Sequence, residues 1–290
     1  MQILLFSILA GLGTYLAMPA FLELLKEDGA LRKNYRQDSV PVGGGFLFIW
    51  IGSVMGALLG LTEPWTWIPT GLGQAARPST LLAAAALGYG LLGLLDDLVG
   101  TRKQTGLLGH GRALLGGQLT TGAVKAAAGT ALGLLLAAYR LAPGGFSEAP
   151  WADGLSAVAV DGLLIAAAAN TLNLFDLRPG RAGKVFLMGY SFVLLRGNPV
   201  SLVLLPWLGS LLGYLPYDLR GEVMMGDVGS NALGSLLGLA SCYALALPAR
   251  LAFLVLLILL HLLAERISFT EIIENHWLLH RLDLWGRKGP

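Results

Sequence analysis

Apolar stretches long enough to cross a bilayer alternate along this chain with polar, Pro-bearing or Gly-bearing turns. They predict membrane spans at residues 3–25, 41–61, 80–95, 121–140, 154–172, 184–195, 201–217, 228–247 and 249–264. The stretch at 184–195 is short for a span even when tilted, and the break at Pro248 to Arg250 is either a turn or a kink. The opening QILLFSILAGLGTYLAMPAFLELL has no basic leader region and runs too long for a cleaved signal, so it is expected to stay as the first span. The pattern predicts an all-α, polytopic membrane helix bundle of nine spans over residues 1–264. A more polar cytoplasmic tail follows at 265–290, with a short amphipathic helix against the membrane surface.

Composition agrees with the pattern: 55% of the 290 residues are hydrophobic, 13% are charged, and the mean hydropathy is +0.66. Forty Gly residues suit a bundle whose helices approach closely in lipid, where expulsion from water no longer drives association. A net charge of +2 is too small for a general nucleic-acid-binding surface. The lone Cys242 excludes an intrachain disulfide and a thiolate metal cluster, and reads as core filler.

Nine spans put sixteen of the 20 Lys and Arg residues on one face and leave Arg77, Arg140, Arg196 and Arg250 on the other. This bias assigns the first face to the cytoplasm, with the N-terminus outside and the C-terminus inside. The polar residues that call for a chemical explanation gather on that same face. Asp96 and Asp97 end the third span, and two adjacent like charges there become tolerable beside a divalent cation or basic groups. Asn170, Asn173 and Asp176 follow at three-residue spacing, on one stripe of a helix. Pro179 and Gly180 then break the helix and turn Arg178, Arg181 and Lys184 toward the interface, a cradle suited to a diphosphate. Asp227 precedes the eighth span in MGDVGS, as a helix cap or as a metal ligand opposite Asp96 and Asp97.

Other polar groups admit plainer readings. Gly43, Gly44 and Gly45 lack the Lys of a phosphate loop and read as close helix packing. Arg32, Lys33 and Arg36 suit either an anionic lipid head group or simple anchoring. His110, His276 and His280 lie on the cytoplasmic side; the last two share a helical face without forming a zinc-protease signature. Met224 and Met225 read as interface filler.

In their joint order, these groups resemble the polyprenyl-phosphate hexosamine-1-phosphate transferase superfamily over most of the chain. Asp96 and Asp97 look like its first acidic motif. Asn170, Asn173 and Asp176 look like its Asn-rich motif, and Met225, Gly226, Asp227, Gly229 and Ser230 like its MGDxGS element. The NYR and PVGGG segments resemble the first cytoplasmic loop, where family members engage lipid phosphate. The resemblance implies Mg²⁺-dependent transfer of a sugar phosphate from a UDP-sugar, usually a UDP-N-acetylhexosamine, to polyprenyl phosphate, with release of UMP. It implies Asp96, Asp97, Asp176 and Asp227 as catalytic candidates, with Asp227 and Asp97 as metal ligands. Arg36, Asn170, Asn173, Arg178, Arg181, Lys184, His276 and His280 become substrate-binding candidates. It also implies a multi-pass cell-membrane protein in contact with membrane lipids, with its site facing the cytoplasm and a homodimer as a candidate assembly.

Three features depart from the family pattern. Leu177, Arg178, Pro179 and Gly180 stand where the motif continues into a second acid, Met224 where the translocases carry a nucleotide-stacking aromatic, and no contiguous histidine motif occurs. They point to a divergent member, with a non-catalytic polyprenyl-phosphate-binding protein as the alternative and a transporter as a more distant one.

Overall fold

A computed structural model describes residues 2–62, 76–99, 120–142 and 151–287. Its helices are α1 (Gln2–Glu27), α2 (Gly45–Thr62), α3 (Ala76–Val99), α4 (Thr121–Leu141), α5 (Trp151–Phe175), α6 (Arg181–Leu195), α7 (Val200–Val203), α8 (Leu205–Leu219), α9 (Gly226–Ala244), α10 (Leu247–Ala264), α11 (Phe269–Asn275) and α12 (Trp277–Leu284). The protein is a polytopic helical membrane protein. Five helices, α1, α3, α4, α5 and α10, are long and apolar enough to cross a bilayer by themselves. The nine predicted stretches each overlap a helix, although 41–44 precede α2 and 228–247 runs past the end of α9 at Ala244. The stretch at 201–217 is divided at Leu204, where α7 gives way to α8 with Pro206 in its first turn. Pro248 sits in the first turn of α10 after an extended Leu245 and Ala246, so that break is a turn between helices.

Packing follows residue size. Helix α9 is the central element, buried on all sides from Val228 to Cys242 against α3, α5, α2 and α6. Its Gly229, Ser230, Ala232, Gly234, Ser235 and Gly238 explain how: small side chains let backbones approach where lipid supplies no hydrophobic drive. The outer helices α1 and α10 instead turn Leu4, Ile8, Leu12, Leu16, Leu251, Val255 and Leu259 outward, as lipid-facing surfaces do. At the end of the bundle remote from Asp97, the fully buried Asp161 of α5 accepts from Arg250 of α10 at 2.5 Å and from Arg140 of α4, tying three helices together.

One element lies outside the all-α expectation. Residues 31–41 form a short antiparallel hairpin, β1 (Leu31–Lys33) and β2 (Ser39–Pro41), with Arg32 opposite Val40. Asn34 Oδ1 closes its turn by accepting from the backbone N–H groups of Arg36 and Asp38, and Gln37 takes the left-handed conformation at φ 68°. The hairpin is anchored to the loop before α9: Met224 N–H donates to Pro41 O at 2.8 Å, and Gly45 N–H to Met225 O at 2.9 Å. Gly44 and Gly45 are required here, because a Cβ on Gly44 would collide with Val223 and one on Gly45 with the backbone of Gly229. This is the close packing expected of the glycine run.

Candidate active site

The C-terminal end of α3, the start of α4, the end of α5 and the start of α9 meet at one end of the bundle, beneath the hairpin. A cavity of about 120 Å³ opens between them, and four carboxylates line it: Asp97, Asp176, Asp218 and Asp227. Helix packing fixes their positions. Asp97 Oδ2 accepts from the N–H of Val228, in the buried first turn of α9, at 3.3 Å, and its Oδ1 stands 3.5 Å from Arg32 of the hairpin. Asp227 Oδ2 accepts from Lys125 of α4 and, at 3.0 Å, from Asn173 Nδ2 of α5. Ser230, one turn into α9, completes the chain by donating to Asn173 Oδ1 at 3.1 Å. The acidic, Asn-rich and MGDVGS groups thus form one connected polar network.

Asp176, just beyond α5, carries the electrostatic signature of this arrangement. Burial first, then the charges of Asp218, Asp227 and Asp97, push its carboxyl well above the ordinary range, against a backbone hydrogen bond from Gly226. Four carboxylates line the cavity against two guanidiniums, those of Arg32 and Arg178.

The other candidate residues divide. Asp96 lies beside the network rather than in the cavity wall, 3.5 Å from Lys125 Nζ. Arg178 lines the cavity, 4.6 Å from the ring centre of Tyr35 and 3.2 Å from Glu274 of α11. Arg181 and Lys184 do not join it, so the three-residue cradle read from the sequence is corrected. Arg181 is buried and makes two 2.9 Å hydrogen bonds to Asp283 and one to Thr270, while Lys184 donates to the carbonyls of Asp283 and Leu282. Both basic groups face the tail because α6 turns that side toward α12. Asn170 lies one turn before Asn173, outside the cavity lining, and Arg36 sits on the hairpin turn over Tyr35 at 5.2 Å. His276 caps α12, its Nδ1 accepting from Leu279 N–H, and neither it nor His280 lines the cavity. His110 lies outside the described residues.

The tail is also more than one surface helix. Helices α11 and α12 fold back onto the α5–α6 turn, where Phe269 stacks on Phe175 at 5.5 Å and Arg287 donates to Pro179 O at 2.8 Å. Burial disfavours the Asp283 charge. The Arg181 hydrogen bonds, with the charges of Arg287, Arg181 and Lys184, outweigh this and hold its carboxyl below the usual range.

Two residues that the structure brings to this site escaped the sequence reading. Lys125 looks like an anchor at a span end, and Asp218 like the polar end of another; only packing brings them to Asp227 and to the cavity. Asp218 is buried and accepts from Gly180 N–H at 3.0 Å, fixing the left-handed turn next to Arg178. Among the described residues, no three His, Cys, Asp or Glu side chains converge closely enough to hold a metal ion without help. Magnesium commonly takes one or two carboxylates and completes its shell with water and substrate phosphates, and Asp97 and Asp227 suit that arrangement.

The family model described as glycosyl transferase family 4 matches residues 79–245, which include the acidic pair and both later motifs. Among curated proteins, the phospho-N-acetylmuramoyl-pentapeptide-transferase of Moorella thermoacetica is 29% identical over 281 residues, covering 91% of this chain and 81% of the relative. The protein of the same name from Latilactobacillus sakei is 26% identical over 282 residues, 92% of this chain and 82% of its own. That from Kosmotoga olearia is 28% identical over 259 residues, 86% and 74% of the two chains.

Proposed function

The chain belongs to glycosyl transferase family 4, and on that premise we propose that it transfers a sugar 1-phosphate from a UDP-sugar to polyprenyl phosphate at the cytoplasmic face of the cell membrane, releasing UMP. The sugar is an N-acetylhexosamine in this reading. The observation that carries it is the convergence of Asp97, Asp176 and Asp227 on one cavity at the bundle end, with Lys125 and Asn173 bonded to Asp227. The relatives carry the name phospho-N-acetylmuramoyl-pentapeptide-transferase, which makes that phosphorylated cargo one candidate for this chain. Pro179 and Met224, at two of the three departures from the family pattern, favour a divergent transferase over the cell-wall translocase itself.

In the proposed reaction, an oxygen of the lipid phosphate attacks the sugar-linked phosphorus of the donor. A new P–O bond forms as the bond from that phosphorus to the bridging oxygen breaks, and UMP leaves with the bridging oxygen and its charge. Little covalent chemistry is asked of the protein, so positioning and charge neutralisation carry the rate. Asp227 and Asp97 would hold Mg²⁺, which supplies Lewis-acid neutralisation of the diphosphate. Lys125 and Asn173 orient Asp227 from two helices, and Ser230 fixes Asn173 in turn. Arg32 stands at the hairpin side as a cationic contact for phosphate oxygens. A site at the cytoplasmic boundary brings a soluble donor and a membrane-bound acceptor together.

The same departures motivate a second reading, a non-catalytic protein that binds polyprenyl phosphate. One assay separates the two. Purified, lipid-reconstituted protein with Mg²⁺, polyprenyl phosphate and a panel of UDP-sugars is expected to form lipid-linked diphosphate sugar and stoichiometric UMP. Binding of polyprenyl phosphate without product across the panel would overturn the enzymatic reading in favour of the second. Asp227→Asn is expected to abolish turnover while leaving the protein monodisperse.

A further inference from the structure

The cavity is chemically divided. Its carboxylates lie where α3, α5, α8 and α9 meet, whereas the hairpin side presents Tyr35, Val40 and Val42 with Met224 beside them. Tyr35 lines the cavity and is 39% exposed, with the exposed Arg36 of the same turn 5.2 Å from its ring centre. Arg178 lies 4.6 Å from the ring centre and is held by Glu274 at 3.2 Å, which places a planar guanidinium beside a planar phenol before any ligand arrives. The ring itself is carried on a turn closed by the two Asn34 hydrogen bonds. An aromatic and guanidinium pair at the mouth of a cavity, with apolar residues beside it and phosphate-directed groups deeper in, suits a flat uncharged ring attached to a diphosphate.

Resting on the transferase reading above, we propose that Tyr35, with Arg178 beside it, is the platform on which the nucleobase of the donor stacks. Stacking of a base on one aromatic side chain is sequence-tolerant and is lost on truncation to Ala. The hairpin then supplies the affinity that the base contributes, while the carboxylate network acts on the diphosphate.

The test compares UMP with ribose 5-phosphate, which lacks the base, by calorimetric titration of the reconstituted protein in Mg²⁺. Wild type and Tyr35→Phe are expected to prefer UMP by about tenfold, and Tyr35→Ala to bind both alike. In turnover, Tyr35→Ala is expected to raise KM for the UDP-sugar with kcat little changed. If Tyr35→Ala keeps the preference for UMP, or weakens both ligands equally, the ring only presents Arg178 to phosphate and the proposal is wrong while the transferase reading stands. Wild-type protein that binds neither compound and converts no UDP-sugar removes the transferase reading and this proposal together. Melting temperatures of the variants are measured alongside and are expected to match wild type, because Tyr35 is exposed.

Discussion

Lys125, in the first turns of α4, donates to Oδ2 of Asp227 at the head of α9 and stands 3.5 Å from Asp96 at the end of α3. One ammonium thus links the acidic pair to the MGDVGS element across three helices. Its side chain is 17% exposed, low enough for the interaction to escape most solvent screening.

Removing that charge leaves Asp96 and Asp227 to repel each other beside the diphosphate. Lys125→Met is expected to lower turnover by about 10²- to 10³-fold, the range for losing one preorganised group that stabilises charge. Lys125→Arg should recover part of it. Initial rates of UMP release from monodisperse protein measure both, and a full-rate Lys125→Met variant would reduce the residue to a membrane anchor.

Asp176 binds its proton more tightly in the fold than in the unfolded chain, because burial and the neighbouring carboxylates raise its value. Its contribution to stability is therefore complete below the ordinary carboxylate range and is lost as pH rises through the folded value. Asp176→Asn, neutral at every pH, should melt at a higher temperature than wild type at pH 8 in EDTA. The difference should shrink toward pH 4, and Mg²⁺ should narrow it at pH 8. Equal melting temperatures across the range would count against the charge crowding.

Arg181 and Asp283 form a buried pair with side chains 4% and 6% exposed. Breaking one partner of such a pair costs about 3–5 kcal/mol because the other charge is stranded. Arg181→Ala is expected to free α11 and α12 from the bundle, seen as faster hydrogen exchange over 269–284. Unchanged exchange there would show that Phe269 and Arg287 suffice to hold the tail.

Gly93 of α3 lies against the backbone of Asp227, and a Cβ at this position would collide with the Asp227 carbonyl. Neither backbone can yield without moving the other helix. Gly93→Ala is expected to displace α9 from α3, lower the melting temperature and depress turnover more than Gly154→Ala, whose Cβ meets nothing within 4 Å. Matching behaviour of the two variants would argue that the helix contact is adaptable.

The amino-acid sequence by itself determined the membrane-spanning character and the helix positions, because bilayer thickness imposes long apolar runs and Pro and Gly mark their ends. It also singled out Asp97, Asn173, Asp176 and Asp227 as candidates, since carboxylates and amides at the ends of apolar helices are costly enough to stand out, and the fold brings these four together. Which basic residues serve the site was decided only by tertiary structure. Arg178, Arg181 and Lys184 look alike along the chain, yet Arg178 reaches the cavity while Asp283, a hundred residues later, claims Arg181. Lys125 and Asp218 were hidden for the same reason: a charge at a span end has the same local pattern whether it anchors the helix or meets a partner. A side chain's partner depends on which helix faces lie together, and that is set by small-residue packing around α9, which local periodicity does not encode.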